Sequence, residues 1–408
     1  LRFPAPGALQ LLGLAWNFDT LWAYTMALLF ASTAFLFILS WFVSQGWSFY
    51  PFAPIILSLL GLGLAATQLN LAALSVEMAA LLAVFIVQGG RLGSVRAAQR
   101  FLILMSLALP LFLLAVWQND LYRNSFQDPL FLTRIALLLA GGFGLWIGVA
   151  PFHAWVSAIA LEAKPGIAAF VFIAFPTTAM AILLKLLAVW PWLIELPYAK
   201  TALIAAGLFS AIVGGLFAAA QKAYGPLMGY AALFNIGVLL AALGLGSQAG
   251  ITIVFFVILS RSVALILIAS ANAFIHLQAG GDAFEQAVGV ARRWPVAAAG
   301  LLTGGLTLVG TPFTAGFVSQ WMLLQSLAEV DARWPVIILL GSLGVAIGII
   351  RAVRPMLQKG PPMPPAQQNW GFNALILFLI TLCLGGGLFP QIALNEINRL
   401  AQLLGLPG

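Results

Sequence analysis

Charge is what this sequence has least of. Of its 408 residues 7 % are charged and 62 % are hydrophobic, against roughly 25 % charged in an average soluble protein. So few solvated groups cannot cover the surface of a soluble fold of this size, so most of the chain must be solvated by lipid. A soluble enzyme, a disordered protein and a peripheral protein with a single anchor are excluded. Cysteine is nearly absent too. Cys383 stands alone in an apolar stretch, which leaves no intrachain disulfide and no cysteine-ligated cluster. Two histidines and one cysteine cannot build an ordinary haem pair, zinc site or iron–sulfur centre, so no cofactor or metal is expected in this chain. Any electron carrier belongs to another. There is no Gly-rich phosphate loop, no metal-ligand cluster and no nucleophile–base constellation. Gly142, Gly144, Gly244, Gly246 and Gly385 to Gly387 fall in spans and short turns, where they permit close helix packing. Alternating strand patterns are missing, which excludes an outer-membrane barrel. The net charge of +7 comes from basic residues scattered over short loops, so no nucleic-acid partner is expected. The first residues, with Pro4, Pro6 and Asp19, do not read as a signal peptide. A start at Leu1 rather than Met is consistent with a trimmed N-terminus.

What is present is long apolar runs. A helix needs about 20 apolar residues to cross the hydrocarbon, and scanning for such runs gives twelve spans: Leu21–Val43, Phe52–Gln68, Leu71–Val87, Phe101–Val116, Leu130–Val149, Ile167–Trp190, Thr201–Ala220, Leu227–Leu245, Ile251–Ala273, Pro295–Leu327, Trp334–Val353 and Phe372–Leu388. The fold class is an all-α polytopic membrane protein. Loop charges orient it. Arg91, Arg96, Arg100, Lys164, Lys222, Arg292, Arg293, Arg351, Arg354 and Lys359 fall on one side, which is read as cytoplasmic. Arg2, Arg123, Arg134, Lys200, Arg333 and Arg399 fall on the other, with most of the acids. Both termini of the chain then face the non-cytoplasmic side.

Two spans are interrupted. Pro151-Phe152-His153-Ala154-Trp155 follows the fifth span, and Gly310-Thr311-Pro312-Phe313-Thr314-Ala315 lies inside the tenth. Their common Pro-Phe-x-Ala core recurs after 312 − 151 = 161 residues. A proline within a span removes a backbone hydrogen bond, and such a break survives only where protein or a watery cavity satisfies the freed groups. Paired breaks mark inverted repeats with an ion site between them. The expected organisation is an N-terminal segment and first helix (1–51), a first five-helix repeat (52–190), a second (201–353), and a loop, last helix and tail (354–408).

Charges inside spans cost about 2.5–3.5 kcal/mol each on insertion scales, so each is a candidate functional group. Glu77 sits in the third span, either as a proton-binding carboxylate or as a structural carboxyl satisfied by Arg261 or Lys185. Arg261, mid-way along the ninth span, keeps its charge at any accessible pH and acts as a counter-ion or field-setter. Lys185, toward the end of the sixth, is expected to snorkel to the interface. His153 and His276 flank spans as shuttles, caps or packing residues; Asn235 and Gln320 are expected to bond between helices. Trp190, Trp192, Trp334 and Trp370 read as interface anchors.

These motifs resemble the antiporter-like membrane subunits of the respiratory complex I superfamily, which includes multisubunit sodium/proton antiporters and membrane-bound hydrogenases. The resemblance rests on Pro151-Phe152-His153-Ala154-Trp155 with Glu162-Ala163-Lys164-Pro165, and on Arg292-Arg293-Trp294-Pro295 leading into Gly310 to Phe317. Gly229-Tyr230-Ala231-Ala232-Leu233-Phe234-Asn235 adds a weaker match. The family has fourteen helices, so the twelve here correspond to its third through fourteenth. The first two are either lost or outside this chain. The resemblance implies proton translocation along a mid-membrane polar axis, coupled to quinone-linked electron transfer. It places the chain in a bacterial-type energy-transducing membrane, beside other membrane subunits that carry, or adjoin carriers of, iron–sulfur clusters, flavin and quinone. Glu77 falls on the family's glutamate and Arg261 on a lysine of some members. Relay positions are altered at Trp146, at Pro176 or Thr177, at Gln320 and at Asn235. Tryptophan, threonine and glutamine cannot bind and release protons near neutral pH, so the track is expected to be degenerate, with His153 and Lys185 as possible shuttles. The alternatives are a non-pumping scaffold subunit, a subunit of a sodium/proton antiporter or hydrogenase complex, and an independent transporter. No substrate-binding cluster beyond Glu77 supports the last.

Overall fold

A computed structural model describes residues 9–11, 14–89, 95–124, 129–359 and 369–403. Arg2 and Arg91, used above for orientation, lie outside them. The chain is a bundle of helices. In order these are α1 (Thr20–Phe42), α2 (Phe49–Ala65), α3 (Leu69–Gln88), α4 (Arg96–Asn124), α5 (Pro129–Ile147), α6 (Ala154–Glu162), α7 (Pro165–Val189), α8 (Trp192–Glu195), α9 (Ala199–Ala220), α10 (Tyr224–Gly244) and α11 (Gln248–Ala279). They continue as α12 (Val290–Arg293), α13 (Pro295–Val309), α14 (Ala315–Val330), α15 (Trp334–Leu357), α16 (Trp370–Leu388) and α17 (Gln391–Leu403). Every expected span meets a helix. Among the described residues ten helices are long and apolar enough to cross a membrane, while α2 and α13 are shorter apolar helices.

A helix that is apolar all round must be surrounded by protein or lipid on every side. Here α7, α10 and α11 are buried along nearly their whole length and form the interior, whereas α1, α3, α4, α5, α9, α15 and α16 keep about half or more of their surface outward. Without a hydrophobic drive between helices in lipid, close approach through small residues holds them together. The α9–α10 contact shows it: a side chain at Gly214 would meet the Phe234 backbone at 2.5 Å, and one at Gly237 the Ala211 backbone at 2.4 Å. On the other side of α9, Gly215 packs directly on Gly341 of α15.

Four features differ from the sequence reading. A hairpin of β1 (Leu9–Leu11) and β2 (Leu14–Trp16), paired antiparallel, precedes α1; three-residue strands are too short to show an alternating pattern. Helix α17 was not expected, because its apolar residues lie on one face rather than in a run. It lies across the ends of α1 and α11, with Tyr24 Oη donating to Glu396 Oε2 (2.9 Å) and Thr252 Oγ1 to Asn398 Oδ1 (3.0 Å). Trp190 is no interface anchor: it is buried, its ring 5.6 Å from that of Trp192. Lys185 does not snorkel, for the reason given below.

Candidate ion-path site

Both expected helix breaks are present, and each follows the same local logic. Helix α5 ends at Gly148 and α13 at Gly310, with φ of +79° and +78°. That left-handed conformation suits a residue without Cβ and is the usual way a helix closes its last turn. The proline follows, Pro151 in the first break and Pro312 in the second, before α6 and α14 resume. Phe313, at φ +70°, takes the same left-handed region without glycine's freedom.

The carbonyls left over at each break find donors. Leu308 O has no helical partner, because the residue four positions on is Pro312, which lacks an N–H. Asn235 Nδ2 of α10 supplies the bond at 3.0 Å, while also donating to Ala231 O at 3.1 Å. In the first break Val149 N bonds Gly144 O rather than Leu145 O, and Trp155 Nε1 donates to Leu145 O at 3.1 Å. Ala150 N donates to Ser210 Oγ of α9. The interhelical role expected of Asn235 is the one it has. The second break also packs on α16, where a side chain at Gly387 would meet the Thr314 backbone at 2.4 Å.

Glu77, on α3, is 8 % exposed. Its Oε1 accepts a hydrogen bond from Ser106 Oγ of α4, while Oε2 is buried with no hydrogen-bond partner. Neither Arg261 nor Lys185 satisfies it, contrary to the structural alternative drawn from the sequence. Arg261, on α11, is 1 % exposed, and all three of its guanidinium nitrogens lack a hydrogen-bond partner. The hydroxyls of Thr177 and Thr178 on α7 are likewise buried and unbonded. Thr177 lines an apolar cavity of about 340 Å³ between α1, α7, α11 and α17, together with Ile258, one turn before Arg261. Pro176 is buried beside Thr177 within α7.

Lys185 Nζ lies 2.8 Å from Asp19 Oδ2 and donates to Leu64 O at 2.8 Å. An ammonium buried among α1, α2 and α7 cannot reach water with its stem, so it takes a carboxylate and the last-turn carbonyl of α2 instead. Trp146 is 1 % exposed and packs against Phe112 at a ring separation of 4.4 Å. Gln320 is buried on α14, close under Gly310 of the second break. His153 sits in the first break with its ring 6.4 Å from Tyr230, and His276 Nδ1 lies 2.9 Å from Asp282 Oδ1. The structure thus brings Asn235 to the Pro312 break, and it sets Thr177 of α7 around one cavity with Ile258 and Leu259 of α11. It does not join Glu77 to either buried base. The sequence reading missed Ser106 and Asp19. An aspartate before an apolar helix is a readable N-cap signal, and Asp19 Oδ1 does accept from Trp22 N at 2.8 Å. Nothing in the sequence shows that it also meets Lys185.

With this geometry in hand, the match to known proteins is informative. The family model for the transmembrane region of NADH:quinone oxidoreductase and Mrp antiporter subunits matches residues 66–348. The chain belongs to this family. It is 28 % identical over 280 residues to NADH-quinone oxidoreductase subunit N of Ectopseudomonas mendocina, covering 64 % of this chain and 54 % of that protein. It is 27 % identical over 353 residues to the subunit N of Rhodopseudomonas palustris, covering 84 % and 75 %. The chain spans about half the length of the first of these relatives. Its fold is shared with a chain of the Mrp complex from Dietzia sp. DQ12-45-1b, with a TM-score of 0.86 at 16 % identity, over 98 % of this chain and 86 % of that one. It is therefore an integral membrane protein of the antiporter-like fold. Among the described residues no three His, Cys, Asp or Glu side chains converge.

Proposed function

We propose that this chain is the antiporter-like membrane subunit of a complex I-type NADH:quinone oxidoreductase and takes part in proton translocation coupled to electron transfer. The observation that carries this reading is the pair of helix breaks, each with its carbonyl satisfied by a side chain, in a membrane bundle whose interior holds Glu77 and Arg261. Breaks of this kind are tolerated where backbone lines a path rather than meets lipid. Membership of the family and the name of its relatives supply the class of assembly. On this reading residues 52–190 and 201–353 are two inverted five-helix repeats, the Arg- and Lys-rich loops are cytoplasmic, and both termini face the opposite side. The membrane is an energy-transducing one. The partners are other membrane subunits, and flavin, iron–sulfur clusters and quinone belong to partner subunits.

Within the path Glu77 is the proton-binding group, and Ser106 steadies its carboxylate while the second oxygen stays open to a proton. Arg261 is a fixed positive charge that sets the field. Trp146, Thr177, Asn235 and Gln320 stand at altered relay positions and do not titrate. A competing reading, a subunit that only holds its partners together, draws on Trp146, which is packed tightly on Phe112 where a relay group is expected. Glu77→Gln separates the two. In the reconstituted complex energised with NADH and a quinone, the proton-to-electron ratio falls in the variant while electron transfer continues. An unchanged ratio refutes translocation through this subunit.

A further inference from the structure

The path described so far contains a carboxylate and a fixed charge, and it lacks a base that can give up a proton. Lys185 is such a base, on the same helix as two buried threonine hydroxyls. Thr178 precedes it by seven residues on α7, which places the two on one helix face about 10.5 Å apart. Thr177 and Thr178 carry unbonded buried hydroxyls, and Thr177 shares its cavity with the turn of α11 next to Arg261. At the other end the Lys185 side chain is 10 % exposed, whereas that of its partner Asp19 is 32 % exposed. The pair has a dry side facing the bundle and a wet side where α1 begins.

We propose that the Lys185–Asp19 pair is the exchange station through which the path meets water on the side of the membrane where α1 starts; this rests on the translocation reading above. The step transfers a proton from Lys185 Nζ to Asp19 Oδ2, breaking an N–H bond and forming an O–H bond, and leaves amine and carboxylic acid side by side. Asp19 then releases its proton to water at its exposed edge. The amine takes up the next proton from the interior side of the pair. The pair also has structural work, since Asp19 caps α1 and Lys185 binds the last-turn carbonyl of α2. A structural role needs only charge and hydrogen bonds. A station needs a base that loses its proton, which arginine does not do.

That difference gives the test. In the intact reconstituted complex energised with NADH and a quinone, Lys185→Arg keeps the pairing and the assembly but lowers the proton-to-electron ratio as far as Glu77→Gln does. Asp19→Asn, which retains the oxygen that caps α1, has the same effect. A wild-type ratio in both variants, beside a lowered ratio in Glu77→Gln, overturns the station and leaves the translocation reading standing. A wild-type ratio in Glu77→Gln overturns that reading instead. A second measurement is independent of turnover. With Cys383→Ser as background, Asp19→Cys in sealed vesicles reacts with a membrane-impermeant thiol reagent from one face only, the face that carries the start of α1. No reaction from either face, or reaction from the opposite face, overturns the proposal.

Discussion

Asn235 is placed to compensate for Pro312, and removing its amide measures what that compensation contributes. Replacing Asn235 by Leu keeps the branch at Cγ and much of the volume but deletes both donors. The bond to Ala231 O is redundant, because that carbonyl faces a backbone donor within α10. The bond to Leu308 O is not, since its helical donor position is occupied by a proline. A buried carbonyl left unsatisfied costs about 1–3 kcal/mol in soluble proteins. Interhelical side-chain bonds within membranes average nearer 0.6 kcal/mol and reach about 1.7 kcal/mol, because the unfolded chain in lipid also finds partners. For Leu308 the higher end applies: the acceptor sits at a helix break inside the bundle, and the residue four positions on has no N–H. The expected loss is therefore about 1–2 kcal/mol, near tenfold in the folding equilibrium. Reversible unfolding of the purified protein in mixed micelles, followed by tryptophan fluorescence, reads it. A change below about 0.3 kcal/mol would refute the claim that this carbonyl depends on Asn235.

Three further outcomes follow from the same geometry. Trp155→Phe removes the donor to Leu145 O while keeping a ring against Phe101 and Phe172, and lowers stability by about 1–2 kcal/mol in the same unfolding assay. Gly316→Ala puts a Cβ 1.8 Å from Thr307 O, a backbone atom that cannot step aside, so the variant loses about 3 kcal/mol or more, read as a collapse in the yield of folded protein in membranes. In the turn between α14 and α15, hydrogen bonds from Arg333 hold the Asp331 carboxyl down to about 2. Its folded value lies below the unfolded one of about 3.9, so its contribution is present above that pH and is lost as pH falls through about 2. The stability difference between wild type and Asp331→Asn is accordingly flat above about pH 5 and falls away progressively towards about pH 1; a difference that grows on acidification contradicts the assignment.

The spans were legible because lipid imposes one rule on every segment that crosses it, a run of apolar residues long enough to close its own hydrogen bonds. The breaks were legible for the complementary reason, that proline cannot take part in that closure. What the sequence did not reveal is which groups meet across helices. Lys185 reads as a snorkelling lysine when only its own helix is considered, and it becomes a buried ion pair because α1 begins with Asp19 beside it. Ser106 is indistinguishable from any other serine in a span until α3 and α4 are packed. Helix α17 escaped because an amphipathic helix at the membrane surface has no apolar run to find.

If the proposed translocation reading holds, the surviving charges also bear on how a track without lysines at these positions works. Charge-coupled stepping requires sites that alternate between charged and neutral forms, and each such site must be stabilised differently in its two states. Trp146, Thr177 and Gln320 contribute no charge in either state, and Arg261 contributes the same charge in both. On the proposed reading alternation falls to Glu77, near the α3–α4 contact, and to Lys185 with Asp19, near the start of α1. Arg261 of α11 is a permanent positive charge that the protein leaves without a hydrogen-bonded partner. On the proposed reading a fixed cation inside the bundle repels protons on the path and favours the charged form of a carboxylate. On the proposed reading the field of Arg261 stands in for the moving lysines as the element that keeps the two titrating ends from equilibrating freely.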